Sequence, residues 1–315
     1  MATEIFMNKN SYIKEKKIKA PALIHLTLAV SAAVALTAGA VFYAKYSKII
    51  KLPVLETVWT SDVGGLALTT EGKNNLYNIS PDEKKVRQYE KFTGKKGFEY
   101  STPNNIIWAE WSPKGYVLVM EHGIDGLIKV KGGKKAGKII FSEYPKGPSG
   151  FTVDTKGNII VSDTGNNRVL KFSPGGERLL YEFKSVKRPA YELKNGPARV
   201  FSDSKGYVYA LEHGSSMLTV FDSELKPIKK FDVKLKSRIS ELAVTQDGYI
   251  YMNNHGTNGS VVIYSPGGKL AGKFVKDSTR DFKLISPGGI TGGKYGDYIF
   301  VMTFCTAVFE PVQFD

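Results

Sequence analysis

The sequence predicts an all-β chain, a six-bladed β-propeller preceded by a single N-terminal transmembrane α-helix. Three observations carry this reading. A strand–turn–strand unit recurs six times, its copies start 40 to 48 residues apart, and one uncharged run of 25 residues stands ahead of them. That spacing is the length of a four-stranded propeller blade. One such sheet cannot bury both apolar faces alone, so each unit has to pack against its neighbours.

The clearest unit is GPSGFTVDTKGNIIVSDTGNNRVLKFSPGGE (147–177). It predicts strands at Phe151–Asp154, Ile159–Asp163 and Val169–Phe172, separated by a Lys-Gly turn and a polar turn. Related copies are GLALTTEGKNNLYNI (65–79), NIIWAEWSPKGYVLVME (105–121), ARVFSDSKGYVYALE (198–212), ELAVTQDGYIYMNN (241–254) and GGITGGKYGDYIFVMT (288–303). Their apolar residues alternate or fall in short runs, which is strand patterning rather than helix patterning. The Ser-Pro-Gly-Gly clusters at 173–176, 265–268 and 286–289 punctuate strand ends.

The sixth unit is short. After Phe300 the chain has room for one further strand, so the missing outer strand is assigned to Leu55–Thr60, within a closing segment 54–60. Pairing the two ends of the propeller in one sheet removes edges that would otherwise recruit other molecules.

Ahead of the propeller the chain divides into a basic tail (1–19), the uncharged run (20–44) and a linker (45–53). A helix of that run is roughly 37 Å long, enough for a hydrocarbon core of about 30 Å. Pro21 suits a helix start. Lysines 9, 14, 16, 17 and 19 precede the run and lysines 45, 48 and 51 follow it, which favours a cytoplasmic N-terminus. The propeller is then expected on the periplasmic, extracellular or lumenal side, close to the membrane. A cleaved signal ending near Ala38-Gly39-Ala40 is the alternative, but the apolar run exceeds a usual signal core.

The segment VSDTGNNRVLKF (161–172) resembles an NHL repeat: an aspartate ends the second strand, then come Gly-Asn-Asn, Arg and an apolar strand. The resemblance implies a propeller of a group that includes RNA-binding domains, protein-interaction platforms, sensor ectodomains and metal-dependent lyases or hydrolases. In the related amidating lyases, three histidines from different blades hold a metal. The resemblance places that ligand position at Asn167 here.

Charge and composition bound the function. The net charge is +14, and the first 51 residues hold eight Lys and two Glu, leaving +8 for the propeller. A basic surface favours anionic partners, here anionic lipid or an acidic protein surface. The pairs Lys84-Lys85, Lys95-Lys96, Lys134-Lys135 and Lys229-Lys230 fall at turns and strand ends, where they read first as solvated charge. Tyr144, Tyr181 and Tyr191 offer stacking surfaces for RNA, but a domain outside the membrane makes nucleic acid an unsuitable partner. The single cysteine, Cys305, forms no internal disulfide and reads as an inert strand residue.

Three of the four histidines occupy one repeat position: Glu121-His122-Gly123, Glu212-His213-Gly214 and Asn254-His255-Gly256. Each follows the second strand of its unit. His122, His213 and His255 are therefore the candidate ligands of a divalent metal, Zn or Ca, with a position open for water or substrate. The competing reading is structural. The imidazoles decorate a repeated turn, Gly supplies a left-handed residue, and Glu121, Asp163, Glu212 and Asn254 tie down the turns by accepting hydrogen bonds. This second reading fits better, because the acceptor position recurs where no histidine stands.

No nucleophile motif, phosphate loop or metalloprotease pattern is present. The sequence therefore points to a membrane-tethered binding or scaffold propeller without a cofactor, an accessory subunit of a membrane complex. A lyase or hydrolase with a divalent metal in the central channel is the alternative.

Overall fold

The computed structural model describes residues 54–60, 67–71, 75–81, 83–90, 93–184, 197–212, 217–233, 241–254, 260–275, 289–292, 294, 299–302 and 305–309. The first strand is β1 (Val54–Thr60). Sheet 1 follows with β2 (Ala67–Thr70), β3 (Asn75–Ser80), β4 (Lys85–Glu90) and β5 (Lys96–Ser101). Sheet 2 holds β6 (Ile106–Ser112), β7 (Tyr116–Glu121), β8 (Leu127–Lys131) and β9 (Lys134–Ile139). Sheet 3 holds β10 (Gly150–Val153), β11 (Ile159–Asp163), β12 (Arg168–Phe172) and β13 (Leu179–Lys184). Sheet 4 holds β14 (Pro197–Ser202), β15 (Val208–Glu212), β16 (Met217–Phe221) and β17 (Pro227–Asp232). Sheet 5 holds β18 (Leu242–Val244), β19 (Ile250–Asn254), β20 (Ser260–Tyr264) and β21 (Leu270–Val275). The last three strands are β22 (Gly289–Gly292), β23 (Ile299–Met302) and β24 (Cys305–Phe309).

These strands form six four-stranded sheets, five of them antiparallel meanders in chain order. The remaining sheet runs β1-β24-β23-β22, so the N-terminal strand is its outermost member. The first strands of successive sheets touch: β2 meets β6, β6 meets β10, β10 meets β14, β14 meets β18, β18 meets β22, and β22 meets β2. The contacts close on themselves around a central channel. The fold is an all-β propeller.

The repeated turn explains why these residues form hairpins. In the Asp154–Asn158 turn, Asp154 Oδ1 accepts the backbone N–H groups of Lys156 and Asn158, each at 2.9 Å. Gly157 sits at φ 88°, where a side chain is strained. Asp203 accepts from Lys205 and Tyr207 in the same way, again at 2.9 Å. A carboxylate that replaces two backbone partners makes the turn local and repeatable.

Burial falls from the axis outward. Every described residue of β11 and β12 is buried, whereas β5, β9, β13 and β17 are mixed or exposed. The middle strands are covered on both faces by adjoining sheets, so they read as continuous apolar runs. Between sheets one aromatic contact repeats at the end of the third strand. Phe172 packs on Phe141 at 4.6 Å, Phe221 on Phe183 at 4.8 Å, and Tyr264 on Phe231 at 6.4 Å. Each pair adds about 0.5–1.5 kcal/mol beyond area burial.

The tail, the apolar run 20–44 and the linker lie outside the described residues. Among the described residues no helix is long and apolar enough to cross a membrane, and the helical element they contain is the 3₁₀ turn Thr164–Asn166. The side chain of Cys305 also lies outside what is described.

Candidate functional site

Two places in the propeller collect polar and apolar groups in a way that suits ligands: the central channel, and a pocket on the rim between sheets 2 and 3. Chain order fixes which end each belongs to. Turns from second to third strands, and connections between sheets, share one face. Turns from first to second strands open on the other.

The rim pocket has a volume of about 330 Å³. Ile107, Met120, Ile124 and Phe141 give it an apolar lining, which buried Glu121 and the exposed His122 and Tyr144 complete. Tyr144 is 50% exposed and Ile140, at the start of the same connection, is 66% exposed. Burial, with the Asp125 carboxylate beside it, pushes the Tyr144 phenol up, so it stays protonated as a donor. The connection 140–149 forms one wall and is clamped from sheet 3. The Lys146 backbone N–H donates to Asp163 Oδ1 at 2.7 Å, and the Gly165 N–H donates to the Lys146 carbonyl at 2.8 Å. A methyl at Gly165 would stand 2.7 Å from that carbonyl oxygen, so the glycine is required for the close approach.

Asp163 is the centre of this clamp and is fully buried. Its second oxygen accepts from Asn166 Nδ2 at 2.9 Å and from Arg168 Nε at 2.5 Å. Arg168 continues to Glu182 at 3.0 Å and Glu143 at 2.6 Å. The aspartate and arginine of the repeat thus organise the turn and the pocket wall together.

His122 lies on the exposed turn after β7 and lines the rim pocket. Its backbone N–H donates to the Asn105 carbonyl at 2.9 Å. His213 and His255 lie outside the described residues, as does Tyr191. Among the described residues no group of three or more His, Cys, Asp or Glu side chains is placed to hold a metal ion. Asn167, the position implied as a ligand by the repeat, is a left-handed residue at φ 57° that ends the 3₁₀ turn. Glu121 is buried and accepts from Asn104 Nδ2 at 3.3 Å, as the structural reading of the acceptor position expects.

The channel is narrow, with a cavity of about 50 Å³ lined by first-strand residues of all six sheets. Toward the face of the first-to-second turns it is filled by an ion pair, Lys294 Nζ to Glu110 Oε1 at 2.8 Å. Thr152 donates to the same Glu110 oxygen at 2.9 Å and lies 3.1 Å from Ser202. Toward the opposite face the Arg199 guanidinium crosses the channel from β14 and lies 4.3 Å above the Trp108 ring of β6. Neither the ion pair nor the arginine–tryptophan stack was expected from the sequence. The available signal was a charged residue inside an otherwise apolar first strand: Glu110 in IIWAEWS and Arg199 in PARVFS.

Comparison with known proteins agrees with this architecture. Residues 146–172 match the NHL repeat. The match runs from the clamped connection through β12, one segment of the β-propeller. No curated protein sequence matches it. Among solved structures it is similar to virginiamycin B lyase from Staphylococcus aureus, with 14% identity and a TM-score of 0.54, over 77% of this chain and 79% of that one. A streptogramin B lyase structure matches with 13% identity and a TM-score of 0.57, over 79% and 94%. The Cps50 (Swd1) β-propeller domain of Myceliophteria thermophila matches with 13% identity and a TM-score of 0.54, over 78% and 83%. At these identities the likeness concerns the fold.

Proposed function

We propose that this chain is a six-bladed binding propeller that docks a protein partner through the rim pocket, as an accessory subunit of a membrane complex. The observation that carries the reading is the pocket itself. It combines apolar lining with His122 and the exposed Tyr144, on a clamped connection that also exposes Ile140. A pocket of this kind takes an aliphatic or aromatic anchor from a partner, with the polar groups fixing its orientation. The +8 propeller adds attraction toward an acidic partner surface or anionic lipid.

The tether in this proposal is the run 20–44, with the N-terminus cytoplasmic and the propeller on the far side of the membrane. No cofactor is required. The lyase or hydrolase alternative needs a divalent metal in the channel. The carboxylate that lines the described channel cavity, Glu110, is already engaged by Lys294 and Thr152.

The test is extraction of the full-length protein from its own membrane in mild detergent, followed by native mass. The expected result is a complex well above one chain of 34.7 kDa plus detergent, dissociated by the double variant Tyr144→Ser, Ile140→Ser. A lone chain, or a complex indifferent to that variant, overturns the rim-pocket reading. Release of the protein by alkaline carbonate without detergent overturns the tether.

A further inference from the structure

The Arg199 guanidinium is a charge largely withdrawn from solvent. Its Nη1 is buried and has no hydrogen-bond partner, and no ion pair joins the side chain to a carboxylate. Glu241 acts on it electrostatically and also accepts from the Ile290 backbone N–H through Oε2 at 2.6 Å. The guanidinium gains the face of Trp108 at 4.3 Å. That contact offsets only part of the cost of withdrawing the charge from water. Burial accordingly pushes Arg199 down from its ordinary pKa, opposed by Glu241.

The local backbone leaves room for this arrangement. A methyl at Gly150, on the neighbouring first strand β10, would stand 2.9 Å from Nη1. The side chain as a whole is half-buried, so part of it remains open to solvent. Its end of the channel is on the face that also carries the rim pocket.

We infer that Arg199, seated on Trp108 at the channel mouth, is a binding site for a carboxylate. A planar monoanion matches the guanidinium fork with two parallel hydrogen bonds. A doubly charged phosphate would set a second negative charge beside Glu241, whereas a carboxylate brings one. Water satisfies N–H groups but leaves the charge unneutralised. This site is independent of the rim-pocket proposal: its residues belong to β6, β10 and β14 and to none of the pocket walls.

The experiment uses the full-length protein in non-ionic detergent and follows tryptophan fluorescence and thermal unfolding. Titrants are sodium acetate and the tripeptide Ala-Ala-Ala, each against sodium chloride at matched ionic strength. The expected result is a saturable response absent with chloride, weakened at least 100-fold by Arg199→Met and partly kept by Arg199→Lys. Saturation by acetate assigns the site to free small carboxylates. Saturation by the peptide alone assigns it to a polypeptide carboxylate. If neither titrant saturates, or if Arg199→Met responds like the parent, the inference fails and the guanidinium is merely hydrated. Should Arg199→Met not fold, the Arg199→Lys affinity decides, since a site that reads the planar fork has to weaken.

Discussion

Asp163→Asn tests the link between the repeat signature and the rim pocket. The parent carboxylate accepts from the Lys146 backbone at 2.7 Å, from Asn166 at 2.9 Å and from Arg168 at 2.5 Å, in a fully buried position. The amide keeps one acceptor oxygen and turns an NH₂ toward either the guanidinium or the loop. Breaking a buried pair by removing one partner costs about 3–5 kcal/mol. Arg168 still reaches Glu182 and Glu143, both part-exposed, which places the expected loss near the lower end, about 3 kcal/mol. For a domain of this size that lowers Tm by about 6–12 °C. Differential scanning calorimetry of the full-length protein measures it, and hydrogen exchange at Lys146 reads the loop separately. A loss below about 1 kcal/mol, with Lys146 protection unchanged, would refute the argument that Asp163 holds the pocket wall.

Three further outcomes follow from the same geometry. Phe172→Ala, which empties the ring site against Phe141, is expected to cost about 3–5 kcal/mol in denaturant unfolding. His122→Ala is expected to change stability by less than about 0.5 kcal/mol, and the parent Tm is expected to be insensitive to added zinc or calcium. A zinc-dependent Tm rise in the parent that His122→Ala abolishes would instead favour the metal reading. Glu99 is held by Lys85 at 2.7 Å, Arg87 at 2.9 Å and Lys96 at 3.2 Å, which lower its pKa to about 2. Its folded value lies below the unfolded one, so its contribution is present above about pH 4.5 and fades toward pH 2. Carbon-13 NMR titration of the Glu99 carboxyl checks the midpoint, and salt should raise it because the site is open to solvent.

The individual strands were legible because their signals are local. The DTKGN turn places a carboxylate, a left-handed glycine and two flanking runs within a few residues, and β11 is found at Ile159–Asp163, as the sequence predicts. The pairing of β1 with β24 was legible for a different reason. A β-rich segment without a partner at one end faced a sheet one strand short at the other. The role of Asp163 as an acceptor followed from its place in the repeat.

The sites were much less legible, because they are made by residues far apart in the chain. Lys294 and Glu110 are separated by 184 positions and meet because β22 and β6 both face the channel. Arg199 finds Trp108 across the channel, two sheets away. The histidines drew attention because they share a repeat position, yet His122 opens onto the rim rather than the axis. The sequence by itself determined the strands, their turns and the repeat, since those depend on hydrogen bonds between near neighbours. Only the tertiary structure decided which charged side chains meet inside the ring. Burial and electrostatic partnership depend on the closure of the whole propeller, and no short stretch of chain encodes that.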